Sequence, residues 1–175
     1  MNSFSIHSPE EELPDERLEA KGLRLFVKRD DMIHPFISGN KWRKLRYLME
    51  ESQRQGKTHM VSFGGAFSNH LLALATAGAR FGFRTTGFIR GEETVPLNDT
   101  LFLCRQFGMQ LLYIRRQDYR ERKQELFQEY FGHDPFAFYI DEGGRSPLGA
   151  KGCSELLDEL SRPYDHIIVP CGTGT

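Results

Sequence analysis

Apolar and polar positions along this chain change period several times, and the changes mark its elements. Residues 23–28 alternate apolar and basic, with Leu23, Leu25 and Val27 on one side, which is the period of a half-buried strand. The residues before Leu18 hold Pro9, Pro14 and the acidic run Glu10-Glu11-Glu12, and read as an arm over the surface. After a loop at 31–39 the period becomes helical as far as about Gln55. On a wheel of about 100° per residue, Trp42, Leu45, Leu48 and Met49 form one apolar arc. Arg43, Arg46, Tyr47, Glu50 and Glu51 fall outside it and Lys44 at its border. Lys41 lies inside the arc, the one charged residue on the face expected to point inward.

From His59 a rhythm sets in. Residues 60–63 are a short apolar run ending in Gly64-Gly65, and 69–81 are helical and rich in Leu and Ala. Residues 83–89 are β-rich, and 97–107 are helical, with Leu97, Leu101, Cys104 and Phe107 on one face. Residues 109–114 are apolar again, 117–131 read as one charge-rich amphipathic helix, and 136–140 as a further strand. Strands alternating with helices of this length predict βαβ units and a parallel sheet. Ser146-Pro147 is an N-cap with Pro at the first helical position, and a helical period follows it. Residues 165–170 predict another buried strand, and the sequence stops at Cys171-Gly172-Thr173-Gly174-Thr175. A strand leading into Gly-Thr-Gly-Thr predicts a following helix, so the expectation is a larger α/β protein cut short.

Composition narrows the classes. Of 175 residues, 39% are hydrophobic and 27% charged, the balance of a soluble globular protein. A net charge of -1 gives no global pull toward nucleic acid or an anionic membrane. The basic cluster at 115–123 is interleaved with acids and reads as a solvated helix face. Cys104, Cys153 and Cys171 have neither metal-ligand spacing nor a disulfide framework, which suits a reducing compartment. With no signal-peptide pattern and no apolar run of membrane-span length, the expected location is cytoplasmic.

Three stretches could carry chemistry. Burying Lys41 would lower its pKa and leave a neutral amine, a nucleophile able to form a Schiff base with an aldehyde. The plainer reading is that Lys41 snorkels to water, and the wheel alone favours it. In Ser62-Phe63-Gly64-Gly65-Ala66-Phe67-Ser68-Asn69-His70 a strand runs through two glycines into a helix start. Free N–H groups there attract anions, and a carboxylate would fit. Taken alone, a tight turn with Ser68 or Asn69 as N-cap is the simpler account. Gly172, Thr173, Gly174 and Thr175 could cradle a phosphate, or begin a dinucleotide fingerprint whose third glycine is out of view.

Together GNKWRKL, SFGGAFSNH, DEGGRSPLGAKG and PCGTGT, in that order, resemble the 1-aminocyclopropane-1-carboxylate deaminases and D-cysteine desulfhydrases, pyridoxal-phosphate enzymes of the tryptophan-synthase-β-like fold. The resemblance runs from about Val27 to Thr175 and covers a little over half of such an enzyme. It implies open twisted parallel sheets with flanking helices. It places 1–52 in the N-terminal part of a large domain, 53–144 in a small parallel α/β domain, and 145–175 back in the large one. It implies pyridoxal 5'-phosphate as cofactor, a small amino acid as substrate and a homodimer. Lys41 matches the cofactor-bearing lysine and general base, and Asn69 the partner of the cofactor's ring oxygen. Ser68, Asn69 and His70 match the loop that receives the substrate carboxylate, with Ser68 a candidate catalytic group. Gly172, Thr173, Gly174 and Thr175 match the cofactor-phosphate loop. Trp42 and Phe67 depart from the Thr and Gln common in the family. His70, where the cyclopropane deaminases tend to have Gln, tilts the resemblance toward desulfhydrases. The competing expectations are a non-catalytic or truncated α/β fragment that binds a small anion or partner without turnover, and a dinucleotide-binding domain.

Overall fold

A computed structural model describes residues 6–37, 39–93 and 95–170. Strand β1 (Glu10–Leu13) is followed by a short helix α1 (Glu16–Glu19) and by β2 (Leu25–Lys28), which pairs antiparallel with β1. Helix α2 (Asn40–Arg54) comes next, then the alternation β3 (His59–Gly64), α3 (Asn69–Phe81), β4 (Arg84–Arg90), α4 (Asp99–Gln106) and β5 (Gln110–Ile114). Helices α5 (Arg116–Glu121) and α6 (Lys123–Phe131), strand β6 (Ala137–Ile140) and helix α7 (Pro147–Ser154) complete the described elements.

The second sheet is parallel throughout, in the order β5-β4-β3-β6. The chain moves outward from β3 to β4 and β5, then returns to the other side of β3. That reversal places a topological switch point between β3 and β6. Open α/β sheets bind ligands just beyond the carboxyl ends of strands at such a point.

Strand β3 is buried on both faces, and its side chains alternate between two cores. Val61 and Phe63 face α5 and α6, where Phe63 stacks on Phe88 at 4.6 Å and Tyr119 and Leu126 close the cluster. Met60 faces the other core, with Leu45, Met49, Leu71, Leu74, Ile89 and Leu101. Each fully buried Phe or Leu contributes about 2 kcal/mol of transfer free energy. Period two puts Ser62 on the Met60 side, toward α2 and α3.

Helix α2 is covered on two sides. Its Leu45–Met49 face meets the main core, and Trp42 stacks on Phe81 of α3 at 5.8 Å. Helix α7 crosses its other side closely: a Cβ at Gly152 would lie 1.9 Å from the Arg43 carbonyl oxygen, so only glycine permits the approach. Arg43, itself buried, forks between Asp30 (2.8 Å to each oxygen) and Glu159 (2.8 and 2.9 Å). Burial alone would raise the Asp30 carboxyl, but the hydrogen bonds from Arg43 and Ser8 outweigh it and the pKa falls. This network ties the segment after β2 and the chain after α7 to α2.

Four expectations change. Residues 10–13 form a strand rather than a loose arm, because their backbone finds β2 as a partner. The β2 side expected to be half-buried is so only at Val27, since Leu23 is 52% and Leu25 40% exposed. The helix expected over 117–131 breaks at Arg122 (φ -127°, ψ 27°), which caps α5 and opens α6. Residues 165–170 are not in a strand: they pair with nothing described, and Ile168 is 87% exposed.

Candidate active site at the carboxyl end of the sheet

The loop after β3 is shaped by close packing. A Cβ on Gly64 would sit 2.6 Å from Ser68 Oγ and 2.8 Å from Leu71 Cδ1, so glycine lets the start of α3 fold against the strand end. Ser68 is the N-cap of α3, its Oγ accepting the Leu71 N–H at 3.2 Å. The N–H groups of Asn69 and His70, in the first turn, have no intrahelical acceptor and remain available to an anion. Asn69 is exposed, Phe67 is 78% exposed, and the Arg90 guanidinium lies 3.5 Å from where a Gly65 Cβ would stand.

The expected lysine pair is inverted. Lys41 is only partly buried, with Nζ donating to Asn40 Oδ1 at 2.8 Å. Its pKa is lowered, first by burial and then by the Lys44 ammonium. Lys44, placed by the wheel at the border, is 1% exposed. The reason is α7 together with the loop before it. Lys44 Cγ lies 3.5 Å from the Cβ position of Gly149, and its Cβ lies 3.4 Å from that of Gly144. A wheel for α2 cannot see a helix that arrives a hundred residues later.

His70, in the first turn of α3, turns away from the open loop and is 3% exposed. Its Nε2 meets Ser62 Oγ at 2.8 Å, while the Ser62 hydroxyl donates to the Ile140 carbonyl at 2.9 Å. Its Nδ1 is buried with no hydrogen-bond partner. Burial, then Lys41 and Lys44, push the imidazole pKa down to about 3 against an opposing pull from Asp141. The ring is therefore neutral at physiological pH.

The structure thus brings Lys41, Lys44 and His70 into one electrostatic neighbourhood, with Ser68 and Asn69 at the adjoining helix start. Cys153 of α7 belongs to the same neighbourhood, its thiol pKa raised by burial and lowered in part by Lys44, Arg43 and Lys41. Gly172, Thr173, Gly174 and Thr175 lie outside the described residues. Lys44 and Ser62 escaped the sequence reading; the i, i+3 spacing of two lysines on one helix was the signal for the first. Among the described residues no group of His, Cys, Asp and Glu is placed to hold a metal, and no helix is long and apolar enough to cross a membrane.

Several known proteins resemble this chain. A putative 1-aminocyclopropane-1-carboxylate deaminase from Thermotoga maritima is 36% identical over 167 residues, covering 89% of this chain and 52% of the relative. A bifunctional D-cysteine desulfhydrase/1-aminocyclopropane-1-carboxylate deaminase, mitochondrial, from Arabidopsis thaliana is 31% identical over 87% of this chain and 43% of its own. The crystal structure of an ACC deaminase homologue superposes with a TM-score of 0.79 at 25% identity, over 97% of this chain and 53% of that one. An O-ureido-L-serine synthase shares the fold, with a TM-score of 0.65 at 17% identity, over 88% of this chain and 48% of that one. The chain spans about half the length of the curated relatives it matches. The family described as "Pyridoxal-phosphate dependent enzyme" matches residues 9–175. On these grounds, with the parallel α/β sheet and the lysine-bearing helix beside its carboxyl end, the chain belongs to the pyridoxal-phosphate dependent enzyme family.

Proposed function

We propose that this chain carries the lysine-bearing part of a deaminase or lyase acting on a small amino acid, of the D-cysteine desulfhydrase or 1-aminocyclopropane-1-carboxylate deaminase type. The observation that carries the reading is the placement of Lys41, half-buried in the first turn of α2, next to the buried Lys44 and His70, with its pKa lowered by burial and by Lys44. A lysine of lowered pKa offers a larger fraction of free amine, which is what covalent attachment to an aldehyde needs. The residues present fit pyridoxal phosphate. Lys41 would hold its aldehyde carbon and Asn69 its ring oxygen, while Gly172, Thr173, Gly174 and Thr175 would take its phosphate. When bound, the cofactor supplies an electron sink for charge that develops at the substrate Cα.

The remaining work falls to the protein. The free N–H groups of Asn69 and His70, with the side chains of Ser68 and Asn69, receive the substrate carboxylate. Lys41 Nζ would take the Cα proton as general base. The buried Lys44 keeps Lys41 from holding that proton too tightly, because its positive charge lowers the Lys41 pKa. With D-cysteine the products are sulfide, pyruvate and ammonia. The cyclopropane substrate has no Cα proton, and Ser68 is the candidate group for opening its ring. On this reading residues 1–52 and 145–175 belong to one domain, which the Arg43 network between Asp30 and Glu159 supports, and 53–144 to another. The same reading carries a homodimer.

The test is turnover in the presence of pyridoxal phosphate. Sulfide released from D-cysteine, or ammonia from the cyclopropane amino acid, is expected with the whole protein that carries this part and not with its Lys41→Ala variant. Release that survives Lys41→Ala, or the absence of release from both substrates, contradicts the reading.

A further inference from the structure

The contacts of His70 fix more than its position. Ser62 has one hydroxyl hydrogen, and it goes to the Ile140 carbonyl, which can only accept. Ser62 and Ile140 are direct register partners across β3 and β6, so this bond is built into the sheet. The oxygen therefore faces His70 Nε2 as an acceptor, and the 2.8 Å contact requires the ring hydrogen to sit on Nε2. A neutral imidazole has one hydrogen, so Nδ1 is bare. That bare nitrogen is buried and has no partner.

A buried acceptor calls for a donor, and the Lys44 side chain runs nearby. His70 Cε1, the carbon bonded to Nδ1, lies 3.6 Å from the Cβ position of Gly144. Lys44 Cδ lies 3.6 Å from the same point. The ring and the Lys44 stem therefore flank the same glycine. Lys41 pulls on the ring more strongly than Lys44 does, and after donating to Asn40 it keeps two further hydrogens, but it is the Lys44 stem that shares the Gly144 contact with the ring.

We propose that His70 is a positioning residue: Ser62 locks it as the Nε2–H tautomer, and its bare Nδ1 accepts a hydrogen bond from the Lys44 ammonium, holding that charge in the crevice below the α3 start. The downward pull on the imidazole pKa fits the arrangement, because a proton on Nδ1 would place a third positive charge beside Lys41 and Lys44. The consequence, a cation held ready for an anionic ligand, rests on reading this crevice as the active site. The tautomer and the Lys44 contact do not.

The experiment is long-range ¹H–¹⁵N spectroscopy on the whole chain labelled with [¹⁵N]histidine, without cofactor. His70→Gln assigns the ring among the six histidines, and His70→Asn serves if the first variant does not fold. The expected spectrum has hydrogen on Nε2 and none on Nδ1, unchanged from pH 8 to pH 5. Its Nδ1 resonance is displaced from the free-nitrogen position and returns toward it in Lys44→Met. Ser62→Ala frees the tautomer and Ser62→Thr restores it, which a merely structural role for the hydroxyl would not produce in the ring signals. Hydrogen on Nδ1 in the native chain, or an Nδ1 signal that Lys44→Met leaves in place, overturns the proposal. If Lys44→Met does not fold, Lys44→Gln replaces it with the same criterion. A missing cofactor adduct at Lys41 would sink the cofactor reading and leave these signals as they are.

Discussion

Strand β3 has a buried histidine at each end, and the two are finished differently. At the amino end His59 is closed on both sides. Its Nδ1 meets Asp134 at 2.8 Å and its Nε2 meets Thr86 at 2.9 Å, with Phe131 edge-on at 5.0 Å. At the carboxyl end His70 has one partner, Ser62, and a bare nitrogen beside two lysines. Both rings are nearly inaccessible, so burial alone does not separate them. What separates them is satisfaction. The amino end spends its polar groups on each other and holds the sheet. The carboxyl end leaves one acceptor, the His70 Nδ1, with only the proposed donor Lys44 at hand, beside loops whose amides are also free. Incomplete pairing in a native structure marks where chemistry is expected.

The comparison breaks most visibly at the closed end. Asp134→Ala strands the His59 Nδ1 and also frees the Phe136 N–H that Asp134 accepts at 2.9 Å. Stability should fall by about 2–3 kcal/mol in chemical denaturation. Capture of pyridoxal phosphate at Lys41 should persist in the folded fraction. An equal loss of capture would show that the two ends are not separable.

The open end should reveal itself through pH. His70 titrates at about 3 in the native chain against an ordinary value of 6.5. Between those values the unfolded chain binds a proton that the native chain refuses, so stability falls as pH falls. From pH 7 to pH 5 this one group removes about 2 kcal/mol. In His70→Gln that part of the slope should vanish, as read from denaturation midpoints at several pH values. An unchanged slope would mean that His70 is not held neutral.

A smaller effect sharpens the role of Ser68. Ser68→Ala should cost about 1 kcal/mol through the lost N-cap, and Ser68→Asp should recover it. If turnover also recovers with Asp, Ser68 is a cap alone. If stability recovers and turnover does not, the hydroxyl has a further role in the reaction.

Much of this architecture could be read from the sequence where local signals and tertiary outcome agree. Ser146-Pro147 opens α7 and Ser68 opens α3, because capping is local chemistry. The β3–β6 alternation was legible because each strand is a short apolar run between turn residues. The break at Arg122 was not, since Tyr119 and Leu126, seven residues apart, face the same core in one helix or two. Strand β1 was missed because three glutamates and an exposed leucine carry no burial pattern. The site was half legible. The Gly-rich turn and the two lysines stood in plain view, but which lysine is buried depended on α7 crossing α2 at Gly152. His70 looked like part of an open loop, and only the pairing of β3 with β6 shows it turned inward to Ser62.

The most direct test of the central claim is to find where the cofactor attaches. The chain is mixed with pyridoxal phosphate and reduced with borohydride, and the modified peptide is identified by mass spectrometry. The account predicts one adduct, on Lys41, absent in Lys41→Ala and retained in Asp134→Ala. An adduct on Lys44 in place of Lys41, or labelling scattered over surface lysines with none at Lys41, would contradict it.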